Sequence, residues 1–230
     1  MAPQEQQRFT LTRATPEDMD EVAQLQYDCF PAFIRESFMG CRSEADLPRV
    51  VERTREDMRT NVHDIWILVR DAQRPDGRGG RGKPAAASNW RVYLNGAAAA
   101  QSDDAPMPWL AEHGDKEALE RAQNVINEMN TARKAANPDG FLHLHICFTS
   151  PEYRRKGAGS LMMQWGCDLA DQLALPGWIE ASPDGNFLYK VFGFYDVGKI
   201  KGEGDMNGTF MRRDASTKLE VAKAGESRAN

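Results

Sequence analysis

The run from Phe141 to Thr149 alternates strictly: Leu142, Leu144, Ile146 and Phe148 share one face, and His143, His145, Cys147 and Thr149 share the other. A period of two predicts a strand. A central strand is normally apolar on both faces, so two histidines on one of them ask for partners or for a cleft. Directly after it, Tyr153-Arg154-Arg155-Lys156-Gly157-Ala158-Gly159-Ser160 leads into an amphipathic stretch, Leu161 to Leu173. Strand, glycine turn and helix in that order constrain the chain strongly. Two glycines let the backbone approach a ligand, the amides of a helix start are unpaired, and three cations stand beside them. Together these features predict a site for an anion such as a phosphate-bearing cofactor. The helix stripe Leu161, Met162, Trp165, Leu169 and Leu173 reads as core packing against the sheet.

The remaining elements extend this unit on both sides. Phe9 to Arg13 predicts a strand, and Thr15-Pro16-Glu17-Asp18 supplies a cap, a proline at the first helical position and an acid three residues after the cap. Phe33, Ile34, Phe38 and Met39 predict a short helix acting as an apolar lid, and Asp46 to Thr60 a solvated surface helix. Ile65 to Val69 and Ala85 to Leu94 predict an antiparallel pair. Residues 73–84 and 95–108 read as flexible loops, and 109–137 as a helical insertion and candidate cleft wall. Trp178 to Ser182 predicts a strand, Asn186 to Val191 a helix closed by Gly193, and Phe194 to Ile200 with Gly208 to Arg212 a terminal hairpin. The polar segments 1–8 and 215–230 are expected to be disordered, leaving 9–214 as one domain.

Composition excludes several classes of function. A net charge of −5 leaves no global basic excess for nucleic acid, and the Arg/Gly run from Arg74 to Lys83 lacks the interleaved aromatics of an RNA-binding segment. No apolar run approaches the ~18 residues of a membrane span, and Met1 to Arg8 is too polar for a signal peptide. A cytoplasmic location is expected. Cys29, Cys41, Cys147 and Cys167 form no C-x-x-C pair, which predicts free thiols with neither zinc nor a disulfide framework.

Arg154-x-x-Gly157-x-Gly159 resembles the Q/R-x-x-G-x-G/A signature of the GNAT N-acetyltransferase superfamily. Thr149-Ser150-Pro151-Glu152-Tyr153 resembles the strand end that precedes it, and Leu188-Tyr189-Lys190-Val191-Phe192-Gly193-Phe194 resembles the superfamily's second motif. Ser88-Asn89-Trp90, Trp165-Gly166 and Glu180-Ala181-Ser182-Pro183 are similar to a fungal branch. The resemblance implies an α/β fold: a mixed, twisted sheet of six or seven strands, helices on both faces and a splayed central strand pair. It implies acetyl-CoA as donor, with the pyrophosphate on the amides of Arg155, Lys156, Gly157, Ala158, Gly159 and Ser160 beside Arg154, and the pantetheine along Cys147, Phe148 and Thr149. The free amide of Phe148 would polarise the thioester carbonyl. Where relatives place an asparagine on the pantetheine arm this chain has Ser182, with Asn186 one turn on as a substitute.

The same resemblance implies direct transfer to a primary amine, with Tyr189 as the acid that protonates the departing thiolate. Glu180, His145 and His143 remain as candidate bases, and no metal is implied. Cys147 as a covalent nucleophile lacks a matched base. The expected acceptor is a small molecule, on account of bulky Phe33, Phe38 and Trp109; a peptide acceptor and a non-catalytic acyl-CoA-binding protein are the competing readings. Monomer and homodimer both stay open.

Overall fold

The computed structural model describes residues 8–75, 80–95, 109, 116–202 and 207–216, with the side chain of residue 118 omitted. Most of the terminal segments expected to be disordered, residues 76–79 of the loop at 73–84 and nearly all of the loop at 95–108 therefore fall outside the described residues, as does the start of the insertion apart from Trp109. The strands are β1 (Phe9–Arg13), β2 (Asp64–Asp71), β3 (Lys83–Tyr93), β4 (Phe141–Thr149), β5 (Gly177–Ala181), β6 (Tyr195–Lys201) and β7 (Asn207–Arg213). They form one mixed seven-stranded sheet in the order β1-β2-β3-β4-β5-β7-β6. The helices are α1 (Met19–Cys29), α2 (Ala32–Ile34), α3 (Leu47–Thr60), α4 (Lys116–Ala136), α5 (Ala158–Gln172) and α6 (Asn186–Val191). The chain divides into two compact units, one of Met1–Trp90, Met107–Leu119 and Ile146–Met162, the other of Arg91–Pro106, Glu120–His145 and Met163–Asn230.

In the first unit β1 pairs antiparallel with β2, Phe9 opposite Asp71 and Arg13 opposite Ile67. The predicted helix start is present: Asp18 Oδ2 accepts from the Thr15 amide at 2.9 Å and from Thr15 Oγ1 at 3.1 Å. The other oxygen of Asp18 takes Arg70 Nη2 at 3.0 Å and Arg81 Nη1 at 2.9 Å, so one buried carboxylate serves both a cap and an ion cluster that Glu21 completes on Arg70. Met19, Val22 and Leu25 of α1 pack with Trp66, Leu68 and Phe148 in one core. Val50 and Val51 join them, so α3 is a core helix on one face; the solvated reading of 46–60 holds only for its charged side. A π-helical turn, Arg35–Met39, follows α2 and closes on Gly40 at φ 70°. There Trp109 Nε1 donates to the Ser37 carbonyl at 2.9 Å, the Arg53 guanidinium lies 4.3 Å from its ring centroid, and a Cβ on Gly40 would come within 2.8 Å of it.

In the second unit β4 runs parallel to β5, with Leu142 opposite Gly177, His143 opposite Trp178 and Leu144 opposite Ile179. That ladder ends at Leu144, although β4 continues to Thr149 and β5 to Ala181. β7 pairs antiparallel with both β5 and β6. The end of α4 is sealed by side chains: Asn137 Nδ2 donates to the Arg133 carbonyl at 2.9 Å, Asn137 Oδ1 accepts from Arg212 Nη1 at 3.1 Å, and Arg212 also reaches the Ala136 carbonyl. Arg213 grips Asp171 of α5 through two hydrogen bonds of 2.8 and 2.7 Å. These contacts fix α4 and α5 to the sheet within this unit.

Candidate functional site

The first unit carries the glycine turn predicted to hold an anion. Pro151–Tyr153 makes a single 3-10 turn, Arg155 adopts a left-handed conformation at φ 62°, and Gly157 follows at φ 97°. α5 then begins at Ala158. A Cβ added to Gly157 would meet nothing within 4 Å, so glycine is required there by its backbone angle, while the space above the turn is open. The first amides of α5 have no carbonyl partner inside the helix. Arg154, Arg155 and Lys156 are exposed around them. Lys156 is steadied by the Glu152 carbonyl at 2.6 Å, and the Glu152 carboxylate is held by Arg74 at 2.6 Å and by Lys83, which ties the turn to the β2–β3 hairpin. Amide donors, helix polarity and cations beside open space fit a diphosphate.

Leading into the turn, the final residues of β4 belong to the same unit. The Ser150 amide bonds the Ala85 carbonyl at 2.9 Å, on the β3 side. Cys147 and Thr149 are half-buried and Phe148 is buried against Phe30, ring centroids 5.5 Å apart. Burial pushes the Cys147 thiol up to about 12, which keeps it protonated near neutrality and unsuited to nucleophilic work.

The second unit carries the titratable cluster. Glu180, on β5, accepts at Oε1 from Arg133 Nε at 3.0 Å and from Trp178 Nε1 at 2.6 Å, while Oε2 meets His143 Nε2 at 2.7 Å. Arg133 and His143 are 5% and 1% exposed, so this is a buried, charge-assisted network. Burial alone would raise the Glu180 pKa, but Arg133, His143 and Trp178 outweigh it and hold the carboxyl at about 2. His145 is next along the same face of β4, its ring 5.5 Å from that of His143 and inclined at 71°. Solvent reaches His145 from one side, yet desolvation is the largest effect on it, followed by the charges of Arg91, His143 and Arg133. These hold its pKa well below the ordinary 6.5, so the ring is neutral at pH 7.

Tyr189, on α6, is 8% exposed and packs edge-on to Phe194 at 6.5 Å. Its ring lies over Gly185: a Cβ there would stand 2.9 Å from the ring and 3.1 Å from the hydroxyl. Ser182 Oγ accepts from the Gly185 amide at 3.3 Å and so braces the turn that leads into α6. Asn186, with Pro183, Lys190 and Thr209, lines an open groove of about 610 Å³.

The structure brings His143, His145 and Glu180 into one cluster of the second unit, and the residues of the turn together with the end of β4 into the first. Sequence reasoning missed Arg133 and Gly185. The first looks like any arginine on a charged helix; the second shows its purpose only under the Tyr189 ring. Among the described residues no group of His, Cys, Asp or Glu could hold a metal ion. None of the described helices is long and apolar enough to cross a membrane.

Residues 34–194 match the profile of the acetyltransferase (GNAT) family, more than half of the chain. A curated protein, "Probable acyltransferase SID5" of Ajellomyces capsulatus, is 27% identical over 105 residues, 46% of this chain and 69% of the relative. Among solved structures, a mosquito arylalkylamine N-acetyltransferase-like protein superposes with a TM-score of 0.59 at 12% identity, covering 90% of this chain and 99% of its own. Arabidopsis thaliana NAA60 in complex with acetyl-CoA gives 0.52 at 11% identity, with 90% and 98% covered. At such identities these likenesses speak to the fold alone.

Proposed function

Because the chain belongs to the acetyltransferase (GNAT) family, we propose that it transfers an acetyl group from acetyl-CoA to the primary amine of a small molecule. The observation that carries this reading is the turn from Arg154 to Ser160: a strand end, a left-handed glycine, a helix start and three exposed cations make one anion cradle. Acetyl-CoA supplies an activated acyl carbon and a diphosphate handle. Arg155 to Ser160 would hold the diphosphate, Cys147 to Thr149 the pantetheine amides by strand-like pairing, and the Phe148 amide the thioester oxygen. Ser182 is committed to its own turn, which leaves Asn186 as the better partner for the pantetheine arm.

His145 is the proton acceptor in this reading. It is neutral and open to solvent, whereas Glu180 is already engaged by Arg133, Trp178 and His143 and held ionised by them, which makes it a weak base. The neutral amine nitrogen forms the new C–N bond to the acetyl carbon as the C–S bond breaks; His145 takes the proton from nitrogen, and the Tyr189 hydroxyl gives one to the sulfur. Trp109 is held by Ser37 and Arg53, and this fixed bulky ring supports a small acceptor over a peptide. The test is a mass-spectrometric screen of acetyl-CoA with panels of amines and peptides. Acetylation of small amines in preference to peptides is expected. Turnover of peptides alone would overturn the acceptor class, and acetyl groups remaining on CoA throughout would overturn the activity.

A further inference from the structure

Arg133 lies deep in the second unit, where its charge is offset by the paired Glu180. We infer that Arg133 is a positioning residue for the transfer reaction: it anchors Glu180, Glu180 anchors the His143 ring, and that ring sets the orientation of His145. The inference rests on His145 being the proton acceptor. Two links are short contacts between different elements, α4 to β5 through Arg133 Nε and Glu180 Oε1 at 3.0 Å and β5 to β4 through Glu180 Oε2 and His143 Nε2 at 2.7 Å; the third is the edge-on packing of the His143 and His145 rings within β4, centroids 5.5 Å apart. Trp178 Nε1, donating at 2.6 Å, removes the carboxylate's freedom to swing toward solvent. α4 is itself fixed at its end by Asn137 and Arg212, so the anchor starts from a rigid point.

Arg133 has an electrostatic part as well. The charged and titratable groups that face His145 are Arg91 from β3, His143 from its own strand and Arg133 from α4, with Glu180 of β5 one contact behind. Both arginines oppose an imidazolium. Without the Arg133 charge His145 binds its proton more readily, and the fraction able to accept one from the amine falls at a given pH. A residue that acted through packing alone, without its charge, would leave the titration of His145 where it is.

Three variants of the full chain separate these parts: Arg133→Lys keeps the charge and loses the Nε contact, Arg133→Met loses both, and Arg133→Gln replaces Met should that protein not fold. Two readouts are taken: the pH dependence of kcat and kcat/KM, and the NMR titration of His145 with CoA present. In the uncharged variants the His145 titration and the acid limb of kcat/KM are expected to rise by roughly half a pH unit, the scale of one partly screened charge. kcat should fall about tenfold or more, a fraction of what a general base supplies, with CoA affinity unchanged. Arg133→Lys should lower kcat while its acid limb stays in place. A His145 titration that is the same in wild type and in the uncharged variants, or an unaltered kcat, overturns the inference. Full activity in His145→Gln would instead overturn the reading on which it rests, and the NMR titration distinguishes the two failures.

Discussion

Replacing Glu180 by glutamine tests the buried network directly, because the sign and size of its effect on stability follow from one carboxyl. Its pKa is 4.5 in an ordinary setting and about 2 in the fold. A depressed pKa contributes stability that is fully present above the unfolded value and is lost as pH falls through the folded one. At about 1.4 kcal/mol per pH unit the displacement amounts to roughly 3 kcal/mol, and the side chain is 9% exposed, so solvent screens little of it. Linkage then places somewhat under half of the loss between pH 7 and pH 3.5, with the remainder at lower pH. Urea denaturation of wild type and Glu180→Gln at pH 7, 5, 4 and 3.5 gives the difference in unfolding free energy at each pH. At pH 7 the variant should be less stable by roughly 3 kcal/mol, since Arg133 loses the acid that pairs with it. The gap should narrow steadily below pH 5. A gap that stays constant from pH 7 to 3.5 would refute the argument, because the wild-type carboxyl would then titrate alike in folded and unfolded chains.

Two further substitutions address the turn and the proposed acid. Tyr189→Phe should lower kcat by a factor of roughly 10² or more with CoA affinity, read by calorimetry, nearly unchanged; equal loss of both would mark the ring as packing only. Gly157→Ala meets no steric obstacle but must hold φ near 97°, a strain of about 1–3 kcal/mol. CoA binding should weaken by about tenfold while the melting temperature drops by several degrees, and an unchanged Kd would show that the left-handed turn is not what shapes the cradle.

What was legible in the sequence, and what was not, follows from the range of each interaction. The period of two in β4, the glycines before α5 and the Gly193-Phe194 closure of α6 are local patterns, and each predicted its element within a few residues. The turn at 154–160 was legible because its conformation is set by backbone and nearest neighbours. The titratable cluster was only half visible. His143, His145 and Glu180 alternate on their strands and could be nominated, but the donors that engage Glu180 decide its chemistry, and Arg133 is 47 residues away on a helix with many charges. Charge density misled in α3 too, where Val50 and Val51 are an apolar stripe too short to stand out among arginines and glutamates. Gly185 carries no signal of its own, since its requirement is written in the position of another side chain.

Asp18 closes the helix start with one oxygen and receives Arg70 and Arg81 with the other. The consequence is for how this chain can change over generations. Asparagine, usually the gentlest exchange at such a position, would preserve the cap and remove the charge, leaving Arg70 to Glu21; alanine would remove both at once. Substitutions at Thr15, Glu21, Arg70 and Arg81 are thus read through a shared carboxylate, and their effects should not sum. Drift at any one of these five sites is conditional on the other four, so the segment before α1 and the hairpin after β2 form a single heritable unit despite lying more than fifty residues apart.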